Sequence, residues 1–302
     1  VYTFQFDIID QILTFFKPFG QRTARNKNKQ KEKVYIFGFI HYLAINRMLS
    51  KNTLKFIKSL HQKKFRKQEN AFFVEGGKNV TELLASNFQV SHLLYTPKFA
   101  DENQSYLKRY SGEAFEVNQK TLESIGSFQT NDSALAVAAI KPNELIELGS
   151  KDWAIALDDV RDPGNLGTII RISDWYGIHN IILSAESADF YNPKVLHASM
   201  GSFTRVNIYY TELKPYLSSI KLPVYGAFLE GEIIYQQNFG EGGIILMGNE
   251  SNGISEELES LVSQKITIPR FGNAESLNVA VATAIICDNV KRQTFLNSQN
   301  SL

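Results

Sequence analysis

The sequence predicts an α/β protein in two parts, a small mixed α/β sandwich followed by a larger domain around a parallel sheet. Three observations carry that prediction. The chain has 302 residues, 43% of them hydrophobic, enough for two cores, since a domain usually runs to about 100–200 residues. Apolar runs of strand length alternate with helical patterns from residue 48 to residue 297, the order that builds sheets covered by helices. In the C-terminal half, each polar cluster falls in the loop just beyond an apolar run.

Residues 1–47 differ from the rest of the chain. Two apolar pieces, "VYTFQFDIIDQILTFFKPFG" and "VYIFGFIHYLAINR", flank the basic stretch "RTARNKNKQKEK". Asp7 and Asp10 interrupt the first piece, and neither supplies the roughly 18–20 uninterrupted apolar residues of a membrane span. A secretory signal would place its positive charge ahead of the apolar run, not behind it. Met48 then opens a stretch that reads as a natural start. The expectation is that residues 1–47 are an upstream extension outside the fold, with a basic tail that touches RNA as the alternative.

Residues 48–140 predict the small domain. Leu54, Ile57 and Leu60 share one helical face, "AFFVEG" reads as a strand, "KNVTELLASN" as a helix, and "VSHLLYT" and "SALAVAAI" as further strands. Lys51, Lys55, Lys58, Lys63, Lys64, Arg66 and Lys67 fall in one short stretch without an acid. Such density suits contacts to phosphates, and a solvated helix face would look the same. The formal net charge of +1 adds nothing, so any nucleic-acid footprint must be local. Residues 141–151 read as a linker, broken by Pro142 and Gly149.

Residues 152–297 carry the chemistry, and 298–302 are a tail. "WAIALDDV" predicts a buried strand, "PGNLGTIIRISDWYGI" a helix headed by Asn165 as its cap, and "NIIL" the next strand. This strand, helix, strand unit lacks the G-x-G-x-x-G of dinucleotide binding. "VYGAFL", "GGIILMG" and "KITIP" predict three more strands, and "NESNGISEEL" turns into a helix with an acid-rich first turn. A long apolar helix closes the domain, with Ser276 placed to cap it. Ligands in open α/β sheets bind outside the carboxyl ends of the strands, where these polar loops lie. The single cysteine, Cys287, sits within the closing helix and reads as a small core residue. It excludes an internal disulfide and fits a reducing, cytoplasmic setting. The five histidines show no metal-ligand spacing, so no metal is expected.

Three segments, "LDDVRDPGNLGTIIRISDWYG", "IILMGNESNGIS" and "ITIPRFGNAESLNVAVATAI", together resemble the ordered motifs of the SpoU, or TrmH-like, RNA ribose 2′-O-methyltransferases of the SPOUT superfamily. The lysine-rich part before them is similar to that family's substrate-binding domain, of the ribosomal protein L30e and L7Ae kind. The resemblance spans residues 48–297. It implies a trefoil-knotted methyltransferase domain, S-adenosylmethionine as cofactor, a homodimer whose active sites are finished by the partner, and RNA as substrate, ribosomal RNA ahead of tRNA. Matched to the motifs, Asn165, Arg171, Glu250, Ser276 and Asn278 occupy active-site positions, and Gly248, Ile268 and Leu277 line the cofactor pocket. Asp174 and Trp175 stand where relatives usually carry small apolar residues, and His197 where many have Gln or a basic residue. A non-catalytic RNA-binding relative would keep the lysine-rich domain and lose the motif residues, which are all present. A methyltransferase acting on a protein or small molecule would not need that domain.

Overall fold

In the computed structural model, residues 49–299 are described, with side chains to residue 293; the expectations for residues 1–47 and for the tail beyond 299 lie outside them. The described chain begins with α1 (Lys51–Ser59), capped by the Ser50 hydroxyl, which accepts from Thr53 N at 3.0 Å. Ile57 and Leu60 are buried as their spacing predicts. The helical pattern does not continue unbroken: residues 60–62 turn, and α2 (Lys63–Glu69) starts a new axis. After it come β1 (Ala71–Glu75), α3 (Gly77–Leu84), β2 (Val90–Tyr95), α4 (Pro97–Glu102), α5 (Gln104–Arg109), β3 (Glu113–Glu116), α6 (Gln119–Ile125) and β4 (Ala134–Ala139). The elements from α4 to α6 carry little apolar periodicity and were not legible in the sequence. These strands form a four-stranded sheet in the order β1-β4-β2-β3, with β4 antiparallel to both neighbours and β3 parallel to β2.

Residues 140–152 contain no helix or strand. The second sheet comes next: β5 (Trp153–Leu157), α7 (Pro163–Trp175), β6 (Asn180–Leu183), α8 (Pro193–Ser199), β7 (Asn207–Tyr210), α9 (Leu213–Ser219), β8 (Val224–Ile233), β9 (Gly243–Met247), α10 (Glu256–Glu259), β10 (Gln264–Thr267) and α11 (Val279–Gln299). Every pairing in it is parallel, and the strand order is β10-β8-β9-β5-β6-β7. β5 and β9 lie at its centre and are buried at every position, as parallel strands covered on both faces must be. Alternation sorts their side chains. Ile155, Leu157, Ile245 and Met247 face a core shared with α7, α8 and α11, while Ala154, Ala156, Ile244 and Leu246 face α9 and α10. Each fully buried Ile or Leu contributes about 1.5–3 kcal/mol relative to exposure.

This topology creates the site. From β5 the chain runs outward to β6 and β7, then returns to lay β8, β9 and β10 on the other side of β5. The loops leaving adjacent β5 and β9 therefore part at a topological switch point, the crevice where doubly wound sheets bind ligands.

Candidate active site

The loop after β5 is fixed by its own polar groups. Asp158 Oδ2 accepts from Ser255 N at 2.8 Å, tying it to the loop after β9. Asp159 has φ +58°, a left-handed conformation that Asp tolerates better than most residues, and its N–H donates to Ser184 Oγ at 2.9 Å. Arg161 donates to Asp159 Oδ1 at 2.6 Å, and that bond raises the guanidinium pKa. The cap of α7 is Asp162, not Asn165. Its carboxylate accepts from Asn165 N at 2.8 Å, with Pro163 in the first turn. The Asp-Pro pair is an established N-terminal signal that outranks an Asn three residues inside. Asn165 is thereby released from capping, and its side chain is free for the site.

The loop after β9 is a tight turn that leads into α10, whose first turn carries Glu256 and Glu257 as the sequence predicts. Asn249 and Gly253 bond each other's backbone, and Asn249 Oδ1 accepts from Ser251 N at 2.9 Å and Asn252 N at 3.1 Å. Asn249 Nδ2 reaches across to Asp159 O at 2.7 Å. A methyl group on Gly248 would fall on the backbone of Gly253 and Ile254. The glycine is thus required by the chain's own return. Sequence reasoning missed Asp158, Asp162 and Asn249, which build the loops; runs of Asp and Asn beside Pro and Gly were the available signal.

After β10 at one edge of the sheet, residues 268–278 cross back to the head of α7. There Asn278 Nδ2 donates to Asn165 Oδ1 at 2.8 Å, and Asn165 Nδ2 donates to Glu250 Oε1 at 2.8 Å. One side chain from each of the three motif segments is joined in this relay. Asn278 also caps α11, its Oδ1 accepting from Ala280 N at 2.9 Å and Val281 N at 3.3 Å, which corrects the assignment of that cap to Ser276. Ser276 and Leu277 are exposed in the approach to the helix, and Ile268, half-buried, directly succeeds β10.

Arg171 is not part of the relay. It lies six residues along α7 from Asn165, hence about 120° around the helix axis. It is exposed and forms a stripe with Thr168 and Trp175, the latter 83% exposed. The basic residues divide likewise. Lys51, Lys55, Lys58, Lys63, Lys64 and Lys67 are exposed, but Arg66 is only 2% exposed. It donates to Leu60 O and His61 O, each at 2.8 Å, and pairs with Asp189 at 2.5 Å. Arg66 is therefore withdrawn from the phosphate-facing set: it holds α2 against the second sheet.

Known proteins share this sequence and architecture. Residues 152–288 match the SpoU rRNA Methylase family, and residues 51–136 an MRM3-like substrate binding domain. Over 234 residues the chain is 32% identical to the 23S rRNA (guanosine(2553)-2′-O)-methyltransferase RlmP of Bacillus subtilis, covering 76% of this chain and 92% of that protein. The chain belongs to the SpoU rRNA methylase family. Among solved structures it resembles a TrmH-family protein of Porphyromonas gingivalis, with 36% identity and a TM-score of 0.72 over 82% of this chain and all of that one. It is also similar to an AdoMet-bound rRNA methyltransferase from Sinorhizobium meliloti, with 29% identity and a TM-score of 0.74 over 82% of this chain and 98% of that one. In this SpoU-family chain, the Asn165, Glu250 and Asn278 relay lies where the three motif segments of the sequence converge.

Proposed function

We propose that this chain transfers a methyl group from S-adenosylmethionine to a ribose 2′-hydroxyl of ribosomal RNA. The observation that carries the reading is the relay Glu250–Asn165–Asn278, which gathers three distant segments at the carboxyl ends of β5 and β9. Likeness to RlmP, a 23S rRNA enzyme, favours ribosomal RNA over tRNA as the substrate. Of the other readings, a non-catalytic RNA-binding relative is opposed by the intact relay.

The residues present fit the cofactor. Residues 250–253 of the turn and 270–278 of the third loop are exposed, and Leu277, 50% exposed, offers an apolar side chain to a flat base. We assign Gly248, Ile268 and Leu277 to hold it. When bound, the cofactor supplies an electrophilic methyl on a sulfonium. Asn165 and Glu250 fix the loops that orient the ribose, and Ser276 and Asn278 face it from the third loop. Arg171 acts electrostatically: its guanidinium holds an RNA phosphate and stabilises negative charge developing on the 2′-oxygen, and the hydroxyl proton leaves through that phosphate or water.

Five further features belong to this proposal. The chain forms a homodimer in which Arg171 serves the partner's site; the exposed stripe of Thr168, Arg171 and Trp175 on α7, and the 50% exposed Val281 on α11, which packs on α7, support it. The C-terminal part is threaded as a trefoil knot; the return of residues 268–278 from the β10 edge to Asn165 supports that. The domains are residues 48–140, of the L30e type, and 152–297, joined by 141–151. Lys51, Lys55, Lys58, Lys63, Lys64 and Lys67 meet RNA phosphates. A cytoplasmic setting agrees with the single buried, free Cys287, and among the described residues no helix is long and apolar enough to cross a membrane.

The test is to map 2′-O-methyl sites in total RNA from cells with and without the gene. One ribosomal position should lose its methyl group without the gene and regain it on complementation. A lost tRNA position would move the substrate to tRNA, and no lost position would remove the assignment.

A further inference from the structure

A groove of about 970 Å³ runs along the flank of edge strand β7, between the two sheets. None of its lining residues comes from the three loops of the candidate active site. α2 contributes Lys63, Arg66 and Lys67, and the linker contributes Lys141 and Asn143. Asn180 and Asn207, at the leading ends of β6 and β7, line it as well. The linker also brings the exposed acids Glu144 and Glu147, so the positive charge concentrates on the α2 side and at Lys141.

The linker is pinned in place. Asn143 Nδ2 donates to Tyr210 O at 2.9 Å while its Oδ1 accepts from Tyr210 N at 2.8 Å, so one side chain pairs the open edge of β7 as a strand would. Tyr191 Oη accepts from Lys141 N at 3.1 Å. Lys141 is thereby held with its ammonium 4.1 Å from the centroid of the Phe88 ring and 2.7 Å from Asn87 Oδ1. Removal from water lowers its pKa, and an anion alongside would offset that loss. In the wall, buried Arg66 leaves its Nε–H without a partner.

We infer that this groove binds a single-stranded segment of the substrate RNA, with backbone phosphates on Lys63, Lys67 and Lys141 and polar base or ribose groups on Asn180 and Asn207. The inference rests on the proposed function and names a second contact of the same substrate. Lysines interleaved with amides suit phosphates and base edges together. The groove volume is at the top of the small-ligand range of about 300–1,000 Å³, which suits a short unpaired stretch of RNA. β7 lies three strand spacings from β9, about 14–15 Å across the sheet, and Asn180 and Asn207 stand at the strand ends away from the relay, so the groove would hold nucleotides several positions along the chain from one seated there.

Binding and catalysis are read separately on the full chain. Fluorescence anisotropy with a short mixed-sequence single-stranded RNA, and with its duplex, compares wild type with a Lys67→Ala/Lys141→Ala variant. Lys221→Ala, outside the groove, serves as control, and circular dichroism melting verifies the fold. The double variant should bind the single strand about tenfold more weakly, with a salt slope shallower by about 1.4, as loss of two phosphate contacts on a single strand requires. Asn207→Asp, which leaves the lysines in place, should also weaken binding. Unchanged affinity and slope in both variants, with wild type methylating ribosomal RNA, would overturn the groove alone. Absence of methylation by a wild type whose groove variants still lose RNA affinity would overturn the reaction and leave the groove standing.

Discussion

Asn165 accepts from Asn278 and donates to Glu250, so an alanine there cuts the relay in two places while leaving the Asp162 cap intact. Asn165→Ala should lower kcat about 100-fold, the scale of misplaced catalytic groups, with melting within a few degrees of wild type; single-turnover methylation and calorimetry check both. Gly248→Ala acts differently. Its methyl would meet the Gly253–Ile254 backbone, and overpacking of this kind costs about 1–3 kcal/mol, so the melting temperature should fall together with cofactor binding. Burial raises the Cys287 thiol to about 12, so it should resist iodoacetamide in the native protein and react on unfolding, as mass spectrometry would report. The sequence revealed which residues matter here better than why. Asn165 and Asn278 were legible as site residues, but the assignment of caps to Asn165 and Ser276 failed because a competing Asp-Pro pair and a later Asn satisfied the helix ends first. Arg66 was misread because local charge density cannot disclose a partner, Asp189, 123 positions away.

α7 serves two faces. Gly167 lets it close on α8, since an added Cβ would lie 2.5 Å from Val195 O, and the adjoining face, about 40–80° further around the axis, shows Arg171 and Trp175 to solvent. If that exposed stripe is the dimer face, Trp175→Glu should convert the protein to a monomer in sedimentation equilibrium and abolish methylation. A dimer of unchanged affinity would refute the assignment. Strands with continuous apolar runs, β1, β4, β5, β6 and β9, were legible because burial on both faces writes itself into composition. α4, α5, β3, α6, β7, α8 and α9 were not, since short elements with mixed faces have no period to read. The Asp174 departure from the family pattern gains a physical account at this scale. Its carboxylate receives Arg205 through bonds of 2.8–3.1 Å, and Arg205 also pairs with Glu82 on α3.

That bridge joins the two sheets, with the Arg66–Asp189 pair and the packing of Phe72 and Phe88 on Phe203. Burial alone would raise the Asp174 and Glu82 carboxyls, but hydrogen bonds from Arg205, joined by Ser202 at Asp174 and Lys78 at Glu82, hold both below their ordinary values. Groups depressed in the fold stabilise it above their unfolded pKa, about 3.9 for Asp and 4.3 for Glu, and lose that contribution as pH falls through the folded values. The melting temperature should therefore drop as pH is lowered below about 4, and the drop should be smaller in Arg205→Met. Neither ion pair could be read from sequence, because its members come from opposite ends of the fold. The convergence of the three polar loops could be, since each succeeds a strand of one parallel sheet. The account stands on that convergence performing chemistry. Incubation of unmodified large-subunit ribosomal RNA with the protein and S-adenosylmethionine carrying a deuterated methyl, then nucleoside mass spectrometry, should yield one 2′-O-methylated nucleoside bearing the label, formed about 100-fold more slowly with Asn165→Ala. Label found on a base, or none transferred by a folded wild-type protein, would contradict it.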